Sequence, residues 1–153
     1  MPGPTSRADR RPAPSQAYDP LVRHEERAAL PDRNLAAVTA WVDAYNTQDF
    51  RSLGALVTED FRMLDPATGT DISGRSAFED VGRQVVQAYP DRRIRIIELL
   101  ALGEGAVALQ GEWEGTAAYD LPSGVRAGEG RRRDESMVVE LVDGKVAVIR
   151  VYR

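Results

Sequence analysis

Carboxylates, tyrosine, serine, arginine and tryptophan are the side chains with which this sequence can do chemistry. It has no cysteine, which excludes thiol nucleophiles, thiolate zinc sites, iron–sulfur clusters and disulfides. Its one histidine, His24, precedes the segment where regular patterning begins, so neither a Ser-His-Asp triad nor a His-Glu-x-x-His zinc helix can be assembled. The polar groups that remain stand on otherwise apolar patterns. Trp41 and Tyr45 lie one helical turn apart, Asp65 precedes Pro66 after Phe61-Arg-Met-Leu, and Trp113 sits between Gly111 and Gly115. An Asp-Pro at a strand end often serves only its turn, and Trp or Tyr on an apolar stripe more often serves the core than catalysis. In the run Arg131-Arg-Arg133-Asp-Glu135-Ser136, strand alternation would put Arg132, Asp134 and Ser136 on one face. An inward Arg132–Asp134 pair would orient a polar substrate group, although a solvated edge is the commoner fate of such a run.

The 153 residues are 42% apolar and 29% charged, the composition of one globular domain with room for a tail. A net charge of −4 gives no positive field to hold nucleic acid or an anionic membrane, so neither is expected as a partner. No apolar run reaches the roughly 18 residues of a membrane span, and the first twenty residues lack the apolar stretch of a secretory signal, so a cytoplasmic location is expected. Six of the nine prolines fall in the first 31 residues, among Ser, Arg and Asp. That composition cannot offset its ordering entropy, so residues 1–20 are expected as a disordered tail. Residues 21–33 are expected as a short helix or linker stopped by Pro31, and residues 34–153 as the folded domain.

The elements that must position the polar groups follow from periodicity. Leu35, Val38, Trp41, Val42 and Tyr45 recur at helical spacing behind Asn34 as cap, predicting a helix at 35–47. Asp49 caps a second at 50–58, and Gly74 precedes a third at 75–89 carrying Phe78, Val81 and Val85 and stopped by Pro90. Phe61-Arg-Met-Leu is a strand, and the Asp65–Asp71 segment a turn-rich loop. From residue 93 onward the period is 2, giving four long antiparallel strands, the last pair joined at Asp143-Gly144 by a type I′ turn. The fold class is therefore α+β. The expected core is Leu35, Val38, Val42, Leu53, Leu56, Phe78, Val81, Val85, Leu109 and Val139. Long strands with apolar residues on both faces predict a homodimer through the outer face of the sheet.

The order of these elements, with the segments AYNTQDFRSLGALVTEDFRMLDP, SGRSAF, AYPD, GEWEGT followed by PSG, and VDGKVAVIRVY, resembles the nuclear-transport-factor-2-like superfamily. That superfamily is home to SnoaL-like polyketide cyclases and ketosteroid isomerase. The resemblance implies a cone of three N-terminal helices packed in a curved, mostly antiparallel sheet, with a deep apolar pocket. It places Asp65 where ketosteroid isomerase has the aspartate that moves a proton between carbons. The isomerase's tyrosine donor falls on Trp41, with Tyr45 a turn beyond, and its protonated aspartate near Ser136, or on Glu135 if the register slips by one. Limonene epoxide hydrolase, another member, needs an Arg-x-Asp pair where this chain has Gly111 and Trp113, and an Asp where it has Val151. That hydrolysis is disfavoured.

The expected activity is thus a cofactor-independent cyclisation or isomerisation of a small hydrophobic carbonyl compound. Asp65, Tyr45, Trp41 and Ser136 would be catalytic, and Trp113, Arg132, Asp134, Phe78 and Val151 would bind substrate, with no metal. The competing expectation is a non-catalytic binding or scaffold module of the same fold.

Overall fold

Apolar periodicity sorts the chain into α1 (His24–Asn46), α2 (Phe50–Leu56), β1 (Val57–Asp65), β2 (Thr70–Ser73), α3 (Arg75–Ala88), β3 (Arg93–Leu102), β4 (Ala106–Thr116), β5 (Gly130–Val142) and β6 (Lys145–Tyr152). The computed structural model describes residues 24–153, and the tail expected at 1–20 lies outside them. The six strands form one mixed sheet in the order β2-β1-β6-β5-β4-β3, in which β1 and β6 run parallel and every other neighbouring pair antiparallel. The architecture is α+β, but the helices are not all N-terminal to the sheet, since β1 and β2 intervene between α2 and α3.

Two local expectations are corrected. Thr70 and Asp71, read as the end of a loop, form β2 with Ile72 and Ser73, paired with β1 and tied to it by Arg62 on Asp71 at 3.0 Å. Residues 24–46 form one helix through Pro31 instead of a short helix and a second one capped by Asn34. The reason is tertiary. The Asn34 side chain caps nothing and instead donates to the Glu104 carbonyl at 2.8 Å, while Arg27 pairs with Glu104 at 3.6 Å. These contacts fasten the first turns of α1 to the β3–β4 connection, offsetting the backbone hydrogen bond that proline cannot make.

Elsewhere local chemistry decided local structure. Asp49 accepts from the Ser52 backbone N–H at 3.1 Å as the cap of α2. Asp143 and Gly144 take φ of 51° and 75°, as a type I′ turn requires. Of the expected core, Val38, Val42, Leu53, Phe78, Leu109 and Val139 are buried, whereas Leu35, Leu56 and Val81 are half-buried against it and Val85 is half-buried. Phe61, Trp41, Trp113, Ile149 and Val151 join them. Gly111 is required by close approach, because a Cβ there would stand 2.7 Å from the Arg95 carbonyl oxygen.

The registers bring the C-terminal ends of β1, β4 and β6 together with the N-terminal ends of β3 and β5 at one end of the sheet. Helix α1 finishes at that end, where Asn46 donates to the Ile94 carbonyl at 2.8 Å and accepts from its N–H at 2.7 Å. Helix α3 finishes there too, through Ala118 N–H on the Ala88 carbonyl at 2.8 Å.

Candidate active site

At this end Asp65 terminates β1, 3% exposed. The turn after it is closed by its backbone, whose carbonyl accepts from the Thr68 N–H at 3.2 Å. Its side chain is therefore free to point elsewhere, and Oδ2 accepts from Arg153 Nε at 3.1 Å and Nη2 at 2.8 Å. Oδ1 is buried with no hydrogen-bond partner. Arg153 also reaches Glu135, Nη2 to Oε1 at 3.8 Å, so one guanidinium stands between two buried carboxylates.

The second half of the site grows from β4, β5 and α1. Arg133 donates from Nε to Glu135 Oε1 at 2.8 Å and lays its guanidinium 4.4 Å from the centre of the Trp113 ring. Trp113, buried with Tyr89 edge-on at 5.0 Å, donates its indole N–H to the Tyr45 hydroxyl at 2.9 Å. With its oxygen accepting, the Tyr45 hydroxyl keeps its own proton to give. Burial pushes the Tyr45 phenol above its ordinary value, with Arg92, Trp113 and Arg133 opposing and Glu135 reinforcing. Tyr45 stacks on Trp41 at 5.7 Å, and Trp41 on Phe78 at 6.3 Å, which in turn meets Phe61 at 4.6 Å. The Trp41 indole N–H is buried and unpartnered. Under the Tyr45 ring lies Arg92, its guanidinium 4.0 Å from the ring centre. Burial pulls Arg92 below its ordinary value, the Tyr45 hydroxyl offsetting part of the effect.

The structure thus brings Asp65, Tyr45, Trp41, Trp113 and Phe78 to one interior, with Val151 buried at 2% on the last strand beside it. It separates Ser136, Arg132 and Asp134 from them. In β5 the buried residues are Glu135, Met137, Val139 and Leu141, so the even-numbered positions face outward. Ser136 faces the outer surface with Gln110, Ala108 and Tyr152. Arg132 is 67% exposed and pairs with Glu112 at 3.4 Å and Glu114 at 3.2 Å, and Asp134 is exposed opposite Glu112. The expected Arg132–Asp134 pair on the concave face is corrected accordingly. The inward carboxylate is Glu135, the one-residue slip in register. Its parity with Met137, Val139 and Leu141 was the available signal, since a strand whose buried set is apolar carries its next same-face residue inward as well. Arg92 and Arg153 carried no such signal, because an arginine after a turn or at the end of a strand reads as solvated.

Gly115 packs closely instead of opening space. A Cβ there would meet the Trp113 ring at 3.0 Å and Tyr89 at 3.1 Å. Room lies to the side, in a cavity of about 250 Å³ lined by Tyr89, Trp113, Ser123, Val125 and the arginines at 131–133. Among the described residues no group of His, Asp and Glu is placed to hold a metal ion, and no helix is long and apolar enough to cross a membrane.

Residues 38–149 match the family model described as a SnoaL-like domain. No curated protein matches the chain. Several solved structures share its fold. A candidate polyketide cyclase from Xanthomonas campestris pv. campestris is 21% identical with a TM-score of 0.71, over 81% of this chain and 92% of that one. A candidate ketosteroid isomerase from Kribbella flavida is 23% identical with a TM-score of 0.62, over 78% and 76%. A protein of ketosteroid isomerase-like fold from Catenulispora acidiphila, solved with trimethylamine, is 17% identical with a TM-score of 0.65, over 76% and 84%. At these identities the structures speak for fold alone.

Proposed function

This chain belongs to the SnoaL-like domain family, and from that premise we propose that it is a cofactor-independent cyclase or isomerase. Its substrate is a small hydrophobic carbonyl compound, polyketide or terpenoid-like, and its reaction begins by proton abstraction. The observation that carries this reading is the Asp65 carboxylate, buried, with Oδ2 held by Arg153 and Oδ1 unpartnered. A fixed carboxylate with one open oxygen among apolar side chains is suited to take a proton from carbon beside a carbonyl.

In this mechanism Asp65 Oδ1 takes the proton, and the electrons of the broken C–H bond move onto the carbonyl oxygen. The Tyr45 O–H, strengthened as a donor by the Trp113 N–H it accepts, hydrogen-bonds that oxygen, with the Trp41 N–H as a second donor. Asp65 then returns the proton to another carbon, or the enolate carbon closes a ring on a second carbonyl, whose π electrons move onto its oxygen, and that oxygen takes the proton back from Asp65. Glu135 positions Arg153, and Trp113, Phe78 and Val151 bound the apolar volume.

The test is a mass-spectrometric screen for ligands retained from a metabolite extract, followed by incubation of each with the protein in D₂O. Deuterium appearing beside a carbonyl, at a rate reduced about tenfold to a hundredfold in Tyr45→Phe, is the expected result. A retained ligand returned without deuterium and without rearrangement overturns the reading. That outcome would favour a binding module, a role compatible with the Arg153 contact to Asp65 Oδ2.

The homodimer is a proposal on separate ground. Leu100, Tyr152 and Ile97 are 56%, 55% and 53% exposed. Leu100 and Tyr152 border an outer groove floored by Ala108 and Val138. Covering this face with a second copy removes an apolar patch from water. Light scattering at micromolar concentration is expected to give twice the 16.8 kDa chain mass, and the chain mass itself would refute the dimer.

A further inference from the structure

Arg92 closes the turn after α3, where its backbone N–H donates to the Tyr89 carbonyl at 3.1 Å. Its side chain is 1% exposed beneath Tyr45, and neither Nε, Nη1 nor Nη2 has a hydrogen-bond partner. A guanidinium carries five N–H donors and a permanent charge, and burying these without an acceptor is costly. The face and hydroxyl of Tyr45 compensate only part of this. The carboxylates of the site have other partners. Asp65 is held by Arg153, Glu135 by Arg133 and Arg153, and Asp91 accepts from the Thr116 backbone N–H at 2.7 Å. The site thus holds two buried carboxylates and three guanidinium groups, those of Arg92, Arg133 and Arg153. The cavity beside Trp113 brings Arg131 and Arg133 to the approach, which favours entry of an anion.

We propose that Arg92 is the seat of a ligand carboxylate, so that the pocket takes a carbonyl compound that also carries a carboxylate group. The planar guanidinium fork matches a carboxylate in two parallel hydrogen bonds and completes its charge. This rests on the proposed function only in taking the interior as a small-molecule site. It does not require that Asp65 be a base.

The experiment compares binding of 2-naphthoate with that of its uncharged isostere 2-naphthamide, followed by calorimetry, on the full chain. The wild-type protein is expected to bind the carboxylate at least about tenfold more tightly, a difference typical of one charge-assisted pair. Arg92→Met keeps the length of the side chain and removes the charge, so the preference should vanish. Its melting temperature without ligand should rise, because an unpaired buried cation has been replaced by an apolar chain. Asp65→Asn should leave the preference in place, which separates this proposal from the catalytic one. Equal affinities in the wild type, no binding of the carboxylate, or a preference that survives Arg92→Met each overturn it. Should Arg92→Met fail to fold, the wild-type comparison still decides, with Arg92→Lys expected to retain a reduced preference.

Discussion

Asp65→Asn is expected to lower turnover by at least about 10²-fold, the usual scale for loss of a general base. Asparagine keeps the shape and an oxygen that can still accept from Arg153, but it cannot hold the substrate's proton on the open atom. The stability change is expected to be modest, about 1–2 kcal/mol. The hydrogen bonds persist in part, and the Arg153 side chain, 23% exposed, can be hydrated when its charge partner is lost. Turnover and urea unfolding of the one variant sort the outcomes. Undiminished turnover would remove Asp65 from the mechanism and put the binding module ahead. Collapse of the fold would mean that the pair with Arg153 is structural, and in that case activity must be compared per folded molecule in Arg153→Lys.

The largest expected effect on stability is that of Phe61→Ala. Phe61 is fully buried on β1, tilted against Phe78, which carries Trp41 above it. Removing the ring forfeits its transfer free energy and leaves a cavity that the strand on one side and α3 on the other cannot close. A loss of about 3–5 kcal/mol is expected. In a chain of this size that corresponds to a fall in melting temperature on the order of 10 °C. Because Phe78 and Trp41 rest on this ring, ligand affinity should weaken as well. A loss below about 1 kcal/mol would show that the aromatic stack repacks freely and does not hold the Trp41 N–H in place.

The two variants probe different layers of legibility. Phe61 was readable as a strand residue from its alternation with Met63, and its burial follows from that parity. Asp65 was readable as a residue type at a strand end, while its role was implied only by family resemblance. The local rules that held were those whose cause is local. Asp49 caps α2 because its side chain reaches a backbone N–H three residues on, and Asp143-Gly144 turns because both residues tolerate positive φ. The rules that failed were overruled from a distance. Pro31 did not stop α1 because Arg27 and Asn34 are held by Glu104, more than seventy positions away in the first case. Thr70 to Ser73 became β2 because β1 offered an edge to pair with.

By itself the sequence determined the α+β class, the strand and helix identities after residue 34 apart from β2, and the set of chemistries excluded by one histidine and no cysteine. Those are properties of composition and period, which each segment carries alone. Only the tertiary structure decided which face of β5 looks inward, and a shift of one residue there moved the buried polar group from Ser136 to Glu135 and sent Arg132 and Asp134 outside. Only it placed Arg153 between Asp65 and Glu135 and slid Arg92 beneath Tyr45, because these partners lie far apart in the chain and meet through the parallel β1–β6 pair and the turn after α3. A guanidinium's value depends on burial and on its neighbours, and neither is written at the position of the arginine itself.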